Sequence, residues 1–582
     1  MEIPIMVTSH NSANNVSVND SRRSVTYHPN IWGDFFLSYA SQHKDISIAE
    51  MEEHAIWLTH ARQMEEIREL VLHNDEDDLT LKLELIDSIK RLGVGYHFEK
   101  EIRKTLRWIH DAYSANDNDL RFVALRFRLL REQGFHVPCD VFCKFLDEKG
   151  NFKESIPNNV EGLLELYEAS NYGVHGEEIL DKALEFSSSN LHSLIMNMSN
   201  NTLSTRVREA LKIPISKTLN RLGARKFISM YDDSCNEKLL DFAISDFNLV
   251  QTLHQKELSH VTRWWKELDF ANKLPFARDR LVECYFWIVG VYFEPCYAIA
   301  RKLLTKVIYM ASFLDDIYDV YGTLDELTLF TSILRRWDMD GIDELPPCMR
   351  IYYKALCDVY VEMENEMGKL GKSYAVEYGK AEMIRLAEVY LKEAEWSFSK
   401  HKPTMEEYTK VALLSSGYVM MSINSLLVID DPISKEEFDW VLSEPPILKS
   451  SLLITRLMDD LAGYGFEKKL SAIHYYMHEN GVAEKEAFAE LRKQVKNAWK
   501  VLNKELLHPT EASIPILKCV ANFTRVIFLL YTDEDAYVNS KAKTKDMIKS
   551  VLVDPVTNFS TLKNPNNSVL DSAANNIFNC SM

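Results

Sequence analysis

Apolar residues recur along most of this chain at three- and four-residue spacing, the period of a helix whose positions i, i+3, i+4 and i+7 share a face. Periodic stretches with stop signals predict helices over 78–92 ahead of Gly93, over 160–170, over 177–187 and over 237–268. No run alternates apolar and polar residues long enough to make a strand. The longest apolar run, Cys284 to Phe293, is bracketed by Glu283 and Glu294 and falls well short of the roughly 20 residues a membrane span takes, so it predicts a buried helix. A further helix is expected to open at Pro295 and stop at Gly322, with Thr323 and Glu326 forming a capping box for the next.

Two helical stripes end in acid. Leu304, Ile308 and Ala311 share a face with Asp315 and Asp319 of the string DDIYD, and Leu448, Leu452 and Thr455 lead to Asp459, with Gly463 and Glu467 following and Arg456 inside the same arc. A solvated acidic face would carry polar residues in register, and the dipole at a helix C-terminus disfavours carboxylates. Carboxylates on an inward face must be paired, protonated or metal-bound, and a metal site is the economical reading. Three other acidic strings, at 75–78, 430–431 and 533–535, read as something else; the first opens a helix, where acids cap and meet the dipole.

Composition sharpens the fold class. Only 19 Gly and 17 Pro in 582 residues leave few turns, so the expectation is an all-α chain of two helical domains. The divisions expected are a leader over 1–20, an N-terminal helical domain over 21–230, a catalytic domain over 237–555 and a floppy Asn- and Ser-rich tail over 556–582. A net charge of −19 argues against nucleic acid or an anionic membrane as the main partner. Nine scattered cysteines without a CxxC pair argue against disulfides and for a reducing compartment.

DDIYD, the DD-x2-G-x3-E cluster and FARDRLVECYFWIVGVYFEP, together with RRSVTYHPNIWGDFFL, LIDSIKRLGVGYHFEKEI, ALRFRLLREQGF, TRWWKEL and YTDEDAYVNS, make the chain resemble the plant class I terpene synthases of sesquiterpene type, from about Ser21 to Pro555. The resemblance implies an N-terminal helical barrel-like domain, a C-terminal helical bundle holding the active site, and Mg²⁺-dependent conversion of a prenyl diphosphate to terpene. It implies that Asp315 and Asp319 bind one pair of Mg²⁺ ions and that Asp459 and Glu467 hold a third, with Mn²⁺ as a possible substitute. Asp316, about 100° round the helix from Asp315, is expected to support a ligand rather than be one. Where family members commonly carry a Ser or Thr hydroxyl, this chain has Gly463, so water would have to fill that place.

By the same resemblance Arg278, Arg280 and Arg456 bind the diphosphate, for which guanidinium offers paired donors. Trp287 and Tyr537 line the substrate pocket, Asp535 supports it, Tyr531 belongs to the same lid-side segment, and Ser415-Ser416-Gly417-Tyr418 breaks a helix so that carbonyls face the cavity. Asp315, Asp319, Arg278 and Arg456 are the expected catalytic set for ionising the diphosphate, and the carbocation left behind needs a dry, aromatic surround. Arg22-Arg23 and Trp32 reproduce RRx8W, and the short stretch before them favours a cytoplasmic, monomeric enzyme taking farnesyl diphosphate. The alternatives are a monoterpene synthase using geranyl diphosphate, a chain-elongating prenyltransferase, and an inactive diphosphate-binding relative.

Overall fold

The chain was analysed as a computed structural model that describes residues 29–40, 46–72, 79–111, 118–199, 201–231, 236–429, 433–465, 470–532 and 542–557. Among the described residues every regular element is a helix, apart from one isolated bridge between Leu146 and Phe152. Predicted helices recur at Val160–Ser170 and Glu237–Leu268 with the expected bounds, while the one expected over 177–187 continues to Ile195. The buried face Leu180, Ala183, Ser187 and Leu191 runs on past the expected stop, with the Ser187 hydroxyl donating back to the Ala183 carbonyl, so the helix continues.

Apolar side chains gather into two cores. One is built from residues between Ile67 and Phe247, the other mainly from Val250 onward, and the second also takes in Trp32, Phe36, Leu219 and Leu222. Helix Glu237–Leu268 belongs to both: Leu239, Phe242 and Phe247 pack into the first core, and Val250, Leu258, Val261 and Trp265 into the second. The change of core therefore falls inside this helix, beyond the 230–237 division expected from turn residues, because 32 residues of unbroken amphipathic helix carry one apolar stripe past both interiors.

Buried polar contacts fasten elements to this shared helix. Asp246 accepts from His60, His97 and Tyr96 at 3.1, 2.8 and 2.7 Å, which joins helix Ile46–Leu72 and the turn Gly95–Phe98 to it. Further along, Glu257 receives Arg301 at 2.7 and 2.8 Å and the Tyr285 hydroxyl at 2.8 Å, tying on the two helices that carry catalytic candidates. Residues 551–556 close the same junction: Gln251 donates to the Val551 carbonyl, and Asn248 exchanges two hydrogen bonds with Val556. Val556, placed by composition in the tail, is thus pinned by its backbone; low hydrophobicity fails to see backbone bonds of this kind.

One described helix, Ile514–Tyr531, is long and apolar enough to cross a membrane, with a mean hydropathy of 1.5, yet 67% of it is buried inside the fold. It packs on helices Leu281–Val291 and Pro446–Gly463 as a core element.

Burial opposes ionisation of Asp246, but the hydrogen bonds from His60 and His97 and the nearby charge of Arg221 outweigh it and hold the carboxyl well below the usual carboxylate range. A depressed native value adds stability above the unfolded value near 4 and loses it as pH falls through and below that point. Asp246→Asn is therefore expected to cost about 2 kcal/mol at neutral pH and to flatten the acid limb of the stability curve, measured by thermal melts between pH 7 and pH 3.

Candidate active site

Helix Ala298–Asp316 is prefaced by a short 3₁₀ turn at Pro295–Tyr297 and runs into a π turn at Ile317–Tyr321, closed by Gly322 N donating to the Ile317 carbonyl at 2.8 Å. The DDIYD string straddles the change of winding. A wider turn brings positions four apart closer to one line than α geometry does, so Asp315 and Asp319 project together, and Thr323 and Glu326 cap the next helix as their spacing predicted.

Within each acidic pair the two aspartates have separate jobs. The first is about a quarter exposed, Asp315 at 29% and Asp459 at 26%, whereas the second is shut away, Asp316 at 0% and Asp460 at 2%. Asp316 accepts from the Arg278 backbone N–H at 2.8 Å and faces its guanidinium Nε at 3.0 Å. Asp460 accepts from the Tyr408 hydroxyl at 2.7 Å and from Ala472 N at 2.8 Å, at the N-terminus of helix Ala472–Asn480. One arginine bridges each pair, Arg278 across Asp315 and Asp316 and Arg456 across Asp459 and Asp460. Burial works against the charge on Arg456, but Asp460, Tyr408 and Asp459 keep it cationic. The carboxylates that stay part-exposed are Asp315, Asp319 and Asp459, hard oxygen donors of the kind that suits Mg²⁺.

Helix Val376–Ser399 packs against the π turn that carries Asp319 and against helix Met405–Ser415, which carries Tyr408. The Tyr390 hydroxyl is held protonated by burial and by Asp315, Glu393 and Asp319, and the charge of Glu393 is felt at Arg456 and Tyr408 on the other side. Glu393 accepts from the Ser415 hydroxyl at 2.7 Å. That serine ends helix Met405–Ser415; Gly417 at φ +76° follows, and the ladder restarts with Met421 N on the Gly417 carbonyl at 2.9 Å. Only glycine takes this left-handed turn cheaply, and the expected helix break is where the sequence put it.

Aromatic rings continue from the break. Tyr418 lies 6.2 Å from Trp287 and 5.6 Å from Phe523, centroid to centroid, and burial, with the charge of Asp459 adding to it, holds its hydroxyl protonated. Trp287 sits in helix Leu281–Val291, which begins directly after Arg280, itself 1% exposed. Tyr531 is buried at the end of helix Ile514–Tyr531. A separate cavity of about 380 Å³ lies between the two cores, against Tyr96, Tyr172, Trp499 and Arg525, away from both acidic clusters.

The terpene synthase N-terminal domain family matches residues 31–211, and the terpene synthase family metal-binding domain matches residues 266–501. Among curated relatives, an (E)-beta-caryophyllene synthase of Origanum vulgare is 70% identical over 96% of this chain and 100% of its own. A germacrene-D synthase of Ocimum basilicum is 56% identical over 94% and 98%. The chain belongs to the terpene synthase family. A limonene synthase structure with 2-fluorolinalyl diphosphate superposes with a TM-score of 0.84 at 31% identity, over 92% of this chain and 100% of that one. The isoprene synthase of grey poplar, in complex with three Mg²⁺ ions and dimethylallyl-S-thiolodiphosphate, superposes with a TM-score of 0.81 at 32% identity over 87% and 98%.

The protein is therefore a terpene synthase, a carbon–oxygen lyase acting on phosphates, with a metal-binding catalytic domain. Among its expected site residues the described part pairs Arg278 with Asp315 and Asp316 and pairs Arg456 with Asp459, to which Asp460 adds a contact not expected from the sequence; Asp319 lies in the π turn that follows Asp315. Glu467, Asp535 and Tyr537 lie outside the described residues, as do Arg22, Arg23 and the acidic strings at 75–78, 430–431 and 533–535. Glu393 and Tyr390 were missed by sequence reasoning. Their signal was available: YLKEAEW carries both on successive turns of an otherwise amphipathic helix, and Glu393 falls three residues after Tyr390.

Glu393→Gln is expected to lower kcat of this terpene synthase at least tenfold, about 1.4 kcal/mol, because it removes a charge felt at both Tyr390 and Arg456, and steady-state kinetics at saturating Mg²⁺ would measure it. Gly463 closes helix Pro446–Gly463 without a positive φ, so a β-carbon is conformationally acceptable there. Gly463→Ser is accordingly expected to retain turnover and to lower the Mg²⁺ concentration for half-maximal rate; a loss of turnover in the same titration would contradict a water-filled ligand position.

Proposed function

We propose that this terpene synthase ionises farnesyl diphosphate and cyclises the resulting cation to a sesquiterpene of the caryophyllene or germacrene type. The observation that carries the reading is the 70% identity, over the full length of the relative, to an enzyme named (E)-beta-caryophyllene synthase. A second caryophyllene synthase, from Lavandula angustifolia, supports it at 66%.

Breaking the allylic C–O bond requires charge to be neutralised as it develops on the leaving diphosphate. Mg²⁺, when bound, supplies most of that neutralisation. Asp315, Asp319 and Asp459 would hold it, being part-exposed where Asp316 and Asp460 are buried against protein donors. Arg278, Arg280 and Arg456 would grip the departing diphosphate through paired N–H donors, which keeps it from recapturing the cation. Trp287, Tyr418 and Phe523 offer ring faces and exclude water, and aromatic faces stabilise a passing positive charge without acting as nucleophiles. The matched metal-binding family and the full-length relatives set aside the chain-elongating reading. That the enzyme works as a monomer in the cytosol is part of this proposal, to be checked by size-exclusion chromatography and by localising a fluorescent fusion.

Purified protein with Mg²⁺ should turn farnesyl diphosphate into a sesquiterpene seen by headspace GC-MS, and chelation should abolish the product. Asp315→Ala should lose turnover by about 10²-fold or more, while Trp287→Ala should mainly redistribute products. Preferential turnover of geranyl diphosphate in the same assay would replace the proposal with the monoterpene alternative.

A further inference from the structure

We infer that Asn30 and Asp279 are positioning residues of the diphosphate grip, through which the seating of the N-terminal segment sets the placement of Arg278 and Arg280. This rests on the reading of those arginines as diphosphate ligands. Residues 278–280 lie outside any helix, just ahead of helix Leu281–Val291. Asp279 stands between the two arginines in the chain, and both its carboxylate oxygens are engaged: Oδ2 accepts from the Asn30 amide at 2.9 Å and Oδ1 from the Tyr309 hydroxyl at 3.1 Å. A carboxylate satisfied from outside competes less for the guanidiniums on either side of it.

The two donors come from different parts of the fold. Tyr309 lies on helix Ala298–Asp316, as do the other anchors of this loop, Asp316 on the Arg278 amide at 2.8 Å and, just past the helix, Tyr321 stacked on Phe276 at 4.1 Å. Asn30 is 249 residues away in sequence. Its own Oδ1 is occupied by the backbone amides of Trp32 at 2.8 Å and Gly33 at 3.3 Å, so its NH₂ is left to meet Asp279. The segment after it is seated firmly: Trp32 and Phe36 are buried in the catalytic core, and Asp34 pairs with Lys266 at 2.6 Å. Asn30 therefore transmits a fixed position to the arginine loop, where a displacement of about 1 Å can cost 10²-fold in rate.

Asn30→Asp isolates the contact, because it keeps the acceptor for Trp32 and Gly33 but removes the donor and sets a second carboxylate against Asp279. We expect it to raise the KM for farnesyl diphosphate and the calorimetric Kd for inorganic diphosphate with Mg²⁺ by roughly tenfold each, with the melting temperature essentially unchanged. Adding Asp279→Asn restores a hydrogen bond of reversed polarity at the same net charge and should recover both constants to within about twofold. Tyr309→Phe, which cuts the other tie without touching the N-terminal segment, should weaken diphosphate binding in the same direction. Wild-type constants in Asn30→Asp, or a double variant no better than Asn30→Asp alone, would overturn the inference. Arg278→Ala serves as the control: if it leaves the diphosphate Kd unchanged, the arginine reading itself fails, whereas a weakened Kd confines any failure to the Asn30 contact.

Discussion

Two acidic pairs, each bridged by one arginine, are the constraint on which the rest of the catalytic domain depends. A buried charge is costly unless it is paired and hydrogen-bonded. Arg278 spans Asp315 and Asp316, Arg456 spans Asp459 and Asp460, and the second aspartate of each pair is buried against fixed donors. The consequence is a division of labour within a dipeptide. Asp316 and Asp460 hold the arginines and the helix ends in place, which leaves Asp315 and Asp459 partly open for other work.

The same pairs locate the chemistry. Arg278 is held by its backbone amide as well as its side chain, so the loop carrying it cannot drift from the aspartate helix. Phe276 stacked on Tyr321 and Asp279 bonded to Tyr309 add to that clamp. In the second pair, Asp460 draws in Tyr408 and the start of helix Ala472–Asn480. Helix Val376–Ser399 joins the two, with Tyr390 sensing one cluster and Glu393 influencing the other. Beyond the charged clusters, the rings of Trp287, Tyr418 and Phe523 lie together, with Tyr418 6.2 Å from Trp287 and 5.6 Å from Phe523.

The N-terminal part of the chain reaches this site by two routes. Helix Glu237–Leu268 carries one stripe through both cores, with Asp246 collecting contacts at one end and Glu257 at the other. Residues 30–36 lie directly on the catalytic core, where Trp32 and Phe36 are buried and Asn30 touches the arginine loop. A chain of two cores is thereby mechanically one body near the site, since buried side chains in close-packed surroundings pass displacement on.

Sequence alone determined the helical class, the bounds of Val160–Ser170 and Glu237–Leu268, the capping box at Thr323, the break at Gly417 and the two acid-bearing faces. These are properties of period, capping and backbone conformation, which act within a few residues and so leave a local trace. The tertiary structure decided what depends on residues far apart. It wound 317–321 as a π turn, moved the change of core into the interior of a helix, and brought the charge of Glu393 to bear on Arg456. It also set Asn30 against Asp279. Such pairings follow from how whole helices pack, and a helix's own period cannot say which distant carboxylate, ring or amide its exposed positions will meet.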